Sequence, residues 1–132
     1  MNTPLVIVGS VFVFLAAVFH LYVFFLESIT WRTPRTWKTF GISSQADADT
    51  IAPMALNQGF YNLFLAIGSG IGLILIPINF WAGVGMIALA TGSMFLAGVV
   101  LFISRPKSRV AALLQGVPPL IGLVLIVLSF AH

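Results

Sequence analysis

Four long apolar runs decide what this chain can fold into. The first goes from about Pro4 to Ile29, the second from Ile51 to Ile76, the third from Phe80 to Ile103 and the fourth from about Val110 to Phe130. Leu5 to Leu26 alone rises about 33 Å as a helix, enough to cross a hydrocarbon core of about 30 Å. Hydrophobic residues make up 60% of the chain and charged residues 7%, against roughly a quarter charged in a soluble domain. A domain of this size leaves much of its surface exposed, so the apolar surplus is expected to face lipid. The expected fold class is all-α, an integral membrane four-helix bundle, with residues 1–132 forming a single transmembrane domain. The first run has no basic residue before Arg32, and a cleaved signal peptide would carry a basic start and a shorter apolar core. It is read as a retained span.

The breaks between runs have local causes. Pro34 disfavours helix at the residue before it, which ends the first span within Trp31-Arg32-Thr33-Pro34-Arg35. Asp49 or Thr50 is expected to cap the second span, with Pro53 in its first turn. That span stops at Pro77-Ile78-Asn79, and the third stops at Ser104-Arg105-Pro106. Pro118-Pro119 is expected to kink the fourth. The short second and third connections imply antiparallel neighbours. The first loop, roughly 30 to 50, is the one substantial segment between spans, and a short interfacial helix fits there with Trp31 and Trp37 at headgroup depth.

Orientation follows from charge. Arg32, Arg35 and Lys38 lie in the first loop, Arg105, Lys107 and Arg109 in the third, and these are all six basic residues. The positive-inside rule places both loops in the cytoplasm and both termini outside. The formal charge of +3 thus reads as topology and attraction to anionic headgroups. A nucleic-acid partner is not expected, because no basic face with readable polar groups is present. Membrane lipids are the expected surroundings.

Small residues recur four apart, at Ala55 and Gly59, Gly68 and Gly72, Ala88 and Gly92, Ser93 and Ala97, and Ala112 and Gly116. Such spacing lets helix backbones approach closely. It points to packing within the chain or to a homo-oligomer, a trimer or a dimer.

The candidate functional residues are polar side chains inside apolar spans: His20 and Glu27 on the first, Asn57, Gln58, Tyr61 and Asn62 on the second, and Gln115 on the fourth. With the orientation above, all seven fall in the cytoplasmic half of the bilayer. His20 and Glu27 are seven apart and share a helix face; Asn57 with Tyr61 and Gln58 with Asn62 are four apart. Facing lipid would be costly at each position, so the cluster is expected to line a pocket open to the cytoplasm. Arg32, Arg35 and Arg109 form its expected rim. Each residue also has a structural reading. Glu27 is placed to pair with Arg32 or Arg35, and His20 to donate to a backbone carbonyl or toward Tyr22. Membrane amides serve as interhelical glue worth roughly 0.6 to 2 kcal/mol. Four polar side chains within six positions exceed what glue requires.

The available chemistry is narrow. No cysteine is present, which removes disulfides, thiolate sites and cysteine nucleophiles. The acids are Glu27, Asp47 and Asp49 and the histidines His20 and His132, and no Ser-His-acid set is read among them. A metal site needs three or four convergent ligands, and His20 and Glu27 are too far apart along the helix to bind one ion as a pair without others. Gly68-x-Gly70-x-Gly72 lies mid-span and reads as packing rather than a phosphate loop. No metal or cofactor is expected. Neutral amides and phenols suit a polar headgroup or an oriented small molecule, and an anion could be held with Arg109 or Arg32 as the cation.

His20-x-Tyr22 with Glu27, the Phe40-Gly41 turn, Asn57-Gln58-Gly59-x-Tyr61-Asn62 and Gln115-Gly116-x-Pro118 together resemble a widespread bacterial family. It comprises small four-span membrane proteins catalogued as a domain of unknown function (number thirteen-zero-four). The resemblance covers nearly the whole chain and implies a fold and a bacterial cytoplasmic membrane location, without an activity. Ala55-Leu56-Asn57-Gln58-Gly59-Phe60-Tyr61-Asn62 is also similar in spacing to a second-span run of the MAPEG membrane enzymes, Ala-His-x-Asn-x-x-Glu-Asn. That resemblance implies four spans, outward termini and a trimer. Leu56 replaces the His and Tyr61 the Glu, no Arg precedes the run, and Arg109 is the one match for the family's fourth-span Arg.

Three functions follow. The first is a protein that binds or transports a small amphipathic molecule or lipid in the polar pocket. The second is a MAPEG-like glutathione-dependent membrane enzyme. The third is a structural or accessory subunit whose amides hold another protein. Ion conduction ranks last, since the outer halves of spans three and four carry little polarity besides Thr91 and Ser93.

Overall fold

The computed structural model describes residues 1–131, so His132 lies outside the described residues. Among the described residues the chain is helical, without strands. Helix α1 spans Thr3–Phe24 and passes into a π-helical turn at Phe25–Ile29. A short α2 covers Pro34–Thr39, α3 covers Gln45–Leu75 and α4 covers Phe80–Ser104. A 3₁₀ turn at Pro106–Ser108 leads into α5, Arg109–Leu128. Four of these segments are long and apolar enough to cross a membrane, at 27, 31, 25 and 23 residues. At 1.5 Å per residue the shortest is about 34 Å long, against a hydrocarbon core of about 30 Å. The chain is a multi-pass membrane protein.

The second long helix starts earlier than its apolar run. Neither Asp49 nor Thr50 caps it, and Pro53 lies inside the helix rather than in its first turn. The cap is Ser44: its Oγ accepts from the Asp47 N–H at 3.1 Å, and its carbonyl accepts from the Ala48 N–H at 3.1 Å. The polar stretch Gln45–Thr50 is therefore a helical extension. At 31 residues α3 measures about 46 Å, well beyond the apolar core of a bilayer. In the fourth span the helix runs continuously through Pro118 and Pro119.

The chain divides into two compact units, one made of Met1–Phe19 with the chain from Leu65 onward, the other of His20–Phe64. The first is held by glycine contacts. A Cβ on Gly9 would stand 3.0 Å from the Gly122 carbonyl, and one on Gly122 would stand 3.0 Å from the Gly9 carbonyl. On Gly83, a Cβ would meet the Gly72 carbonyl oxygen and the Ile76 nitrogen, both at 2.8 Å. Gly98 meets the α5 backbone at Ala112 and Gly116 in the same way. Backbones this close exchange dispersion contacts that lipid tails cannot match. Val13, Ile87 and Ile126 are fully buried between these crossings. Of the small-residue pairs, Gly72, Ala112 and Gly116 serve contacts here, whereas a Cβ on Gly92 would meet nothing within 4 Å.

The unit formed by His20–Phe64 is built differently. Its core is Trp31, Trp37, Ala48 and Ala55, with Phe40, Ile42, Ile51 and Ala52 packed against it. Two residues past the end of α2 lies Gly41, whose φ of +78° is a left-handed conformation that glycine adopts without steric cost. The Ile42 N–H reaches the Trp37 carbonyl and the Gly41 N–H the Lys38 carbonyl, at 3.1 and 3.0 Å. This is the Schellman pattern of helix termination.

Candidate functional site

The site residues of α1 and α3 that come together do so because the helix widens. The Thr30 N–H bonds to the Phe25 carbonyl at 3.1 Å, five residues back, and π turns of this kind frequently mark functional positions. The widened turn presents Glu27 and Ser28 to α3. Gly59 makes room: a Cβ there would fall on Ser28 Oγ and stand 3.1 Å from the Cβ atoms of Glu27 and Ser28. Asn62 Nδ2 donates to Glu27 Oε2 at 2.8 Å and to the Gln58 carbonyl at 3.2 Å. Ser28 Oγ donates to the Leu56 carbonyl at 3.0 Å. Phe24 packs edge-on against Phe60 with ring centroids 5.3 Å apart.

Below this contact lies a polar clasp. Trp31 Nε1 donates to the Ala48 carbonyl at 2.8 Å, and Trp37 Nε1 to Gln45 Oε1 at 3.1 Å. Gln45 Nε2 in turn donates to the Arg32 carbonyl and to Asp49 Oδ1. Arg32 Nη1 completes the set with a 2.8 Å ion pair to Asp49 Oδ1. The pairing of Glu27 with Arg32 or Arg35 does not occur. Asp49, carried on the helical extension of α3, takes Arg32 instead, and Arg35 is exposed on α2. Among the described residues Glu27 takes part in no ion pair.

A cleft of about 310 Å³ opens beside Glu27, bordered by Ser28, Trp31, Arg32, Pro53 and Leu56. A second, of about 270 Å³, lies among Gly41, Ser43, Asp47 and Thr50.

The other candidate residues are distributed differently. His20 is buried, 1% exposed. Asn62 turns inward, but Asn57 and Gln58 are exposed on α3 and Tyr61 is 57% exposed. Ala55, Gly59 and Asn62 fill the inward face, and Asn57 sits two residues, or about 200°, round from Ala55. Gln115, half-buried on α5, and Arg109, at its start, belong to the other unit. There the Arg109 guanidinium lies over the Phe102 ring at 4.8 Å.

Sequence reasoning passed over Ser28, Trp31, Pro53 and Leu56 as cleft-forming residues. The available signal was Gly59 between two polar residues: in a membrane helix such a gap marks where another backbone presses in. Chemically the cleft offers one carboxylate, one guanidinium and a wall of indole and aliphatic carbon. Among the described residues no group of three His, Cys, Asp or Glu is placed to hold a metal ion.

The family model described as "Protein of unknown function (DUF1304)" matches residues 14–127. No curated protein and no solved structure matches the chain, and the similarity of spacing to MAPEG enzymes rests on the sequence alone.

Proposed function

The chain belongs to the DUF1304 family, and from that premise we propose that it binds or transports a small amphipathic molecule or lipid, seating the polar end beside Glu27. The observation that carries this reading is a carboxylate on a membrane-spanning helix, anchored by Asn62 on one side and bordering a cleft on the other. An ionisable side chain within a span is costly, and its presence points to function. Trp31, Pro53 and Leu56 supply the apolar wall that a tail needs. At about 310 Å³ the cleft falls at the small end of the range for ligand sites, about 300 to 1,000 Å³.

Native mass spectrometry of protein released from a mild detergent tests it. A retained small molecule in the unaltered protein, absent from Leu56→Trp, is the expected result. Bare protein in both, or equal retention in both, would overturn the reading.

A second reading concerns assembly, and the exposure of Asn57, Gln58 and Tyr61 on α3 favours it. Two amides and a phenol on an outward helix face are satisfied when a second helix supplies partners. We infer a homo-oligomer, trimer or dimer, of a single four-span domain. The same spectrum reads the subunit number, and Asn57→Leu with Gln58→Leu is expected to shift it toward monomer.

For topology we propose cytoplasmic first and third loops in a bacterial cytoplasmic membrane, from the six basic residues they carry. Because the chain has no cysteine, Ser43→Cys and Asn79→Cys can be labelled without background. A membrane-impermeant thiol reagent added outside should reach position 79 and miss position 43; the reverse would invert the topology.

A further inference from the structure

The charges around the cleft do not cancel. Arg32 borders it, but its guanidinium is held by Asp49 at 2.8 Å. Glu27 borders it with a neutral amide, Asn62, as its hydrogen-bond partner. With Glu27 ionised, Glu27, Arg32 and Asp49 sum to one negative charge, located at Glu27. Two further basic residues of this unit, Arg35 and Lys38, are exposed on α2. Lys38 Nζ sits over the Trp37 ring at 5.5 Å, and neither residue lines the cleft. The third acid, Asp47, accepts from Ser43 Oγ and borders the other cleft.

An anionic side chain withdrawn from water needs a counter-charge or a loss of charge. Asn62 supplies a hydrogen bond but no charge. An ammonium group in the cleft would supply both, since it donates to carboxylate oxygen and is compact enough to follow it into a narrow space. The indole of Trp31 makes a wall that tolerates a cation as well as a hydrocarbon tail. Resting on the amphiphile reading above, we propose that the cleft selects amphiphiles whose polar end is an ammonium cation, with Glu27 as the counter-ion. An anionic headgroup would have to share Arg32 with Asp49 and would meet Glu27 as a like charge.

Three fluorescent probes with one common twelve-carbon tail test the selectivity, ending in a primary ammonium, a neutral hydroxyl and a carboxylate. Saturable binding is measured to the whole chain in a neutral detergent. The chain's net charge of +3 repels the ammonium probe, so a preference for it reports the site rather than the whole molecule. The expected result is about tenfold tighter binding of the ammonium probe than of the hydroxyl probe. That gap should close in Glu27→Gln, and all binding should be lost in Leu56→Trp. Equal binding of all three probes, abolished by Leu56→Trp, would overturn the charge selectivity and leave the cleft reading standing. A carboxylate preference would also overturn it and make Arg32 the determinant. No saturable binding by any probe would overturn both. The order of affinities in the unaltered protein decides the matter even where Glu27→Gln is not recovered folded.

Discussion

The two units of this chain solve the problem of packing in a membrane in opposite ways. In the unit made of Met1–Phe19 and the chain from Leu65 onward, helices meet through glycine, and the buried side chains between the crossings are Val13, Ile87 and Ile126. In the unit His20–Phe64 they meet at Gly59 and through hydrogen bonds: Asn62 to Glu27, Ser28 to Leu56, Trp31 to Ala48 and Gln45 to Arg32. Close backbone packing leaves no room for a ligand, whereas the hydrogen-bonded unit has a cleft beside its carboxylate. Van der Waals packing needs only shape, and any chemistry must come from the residues that shape alone does not require.

Breaking each unit should leave a different signature. The largest effect is expected for Trp31→Ala, which removes the core of the clasp and the hydrogen bond to Ala48 together. A loss of about 3 to 5 kcal/mol should appear in detergent-denaturation curves. Trp31→Phe keeps an aromatic ring in the core and should lose less, including about 1 kcal/mol for the missing hydrogen bond. In the other unit, Gly83→Val places a side chain 2.8 Å from backbone atoms that cannot give way. About 3 kcal/mol should be lost by the same titration, with no selective effect on ligand retention.

Asn62→Leu sharpens the comparison, because it removes the inward partner of Glu27 without enlarging the helix contact. A carboxylate left without its donor costs about 1 to 3 kcal/mol. In a double-mutant cycle with Glu27→Gln, most of that cost should appear as coupling between the two residues. The smallest effect belongs to Arg32→Ala. The Arg32 and Asp49 side chains are 67% and 46% exposed, and exposed pairs of this kind contribute about 0 to 1 kcal/mol. The denaturation midpoint should scarcely move.

The contrast between units was legible in part. The spans could be read because long apolar runs have few structural alternatives, and Glu27 and Asn62 stood out because lipid tolerates neither. The start of α3 was misjudged because hydropathy marks where lipid begins, whereas a helix begins where a cap is found. Ser44 lies seven residues before the apolar run. The same extension moved Asp49 to Arg32 and so removed the partner expected for Glu27. Asn57 and Tyr61 shared a span with Asn62 but not its direction. Four-residue spacing groups side chains onto faces without telling which face turns inward. The π turn at Phe25–Ile29 left no sign in composition, since a single widened turn needs only local backbone room. Gly59 provided that room, hidden among the other small residues of the span.

Photo-crosslinking tests the central claim most directly. A diazirine-tailed amphiphile would be bound to the whole protein in detergent, irradiated, and its adducts mapped by mass spectrometry. With the ligand seated beside Glu27, adducts should concentrate at Ser28, Ile29, Pro53 and Leu56, which border the cleft, and excess unlabelled amphiphile should displace them. Adducts spread over the exposed faces of α4 and α5 and unaffected by competitor would mean that the probe behaves as ordinary lipid. In that case the cleft holds nothing.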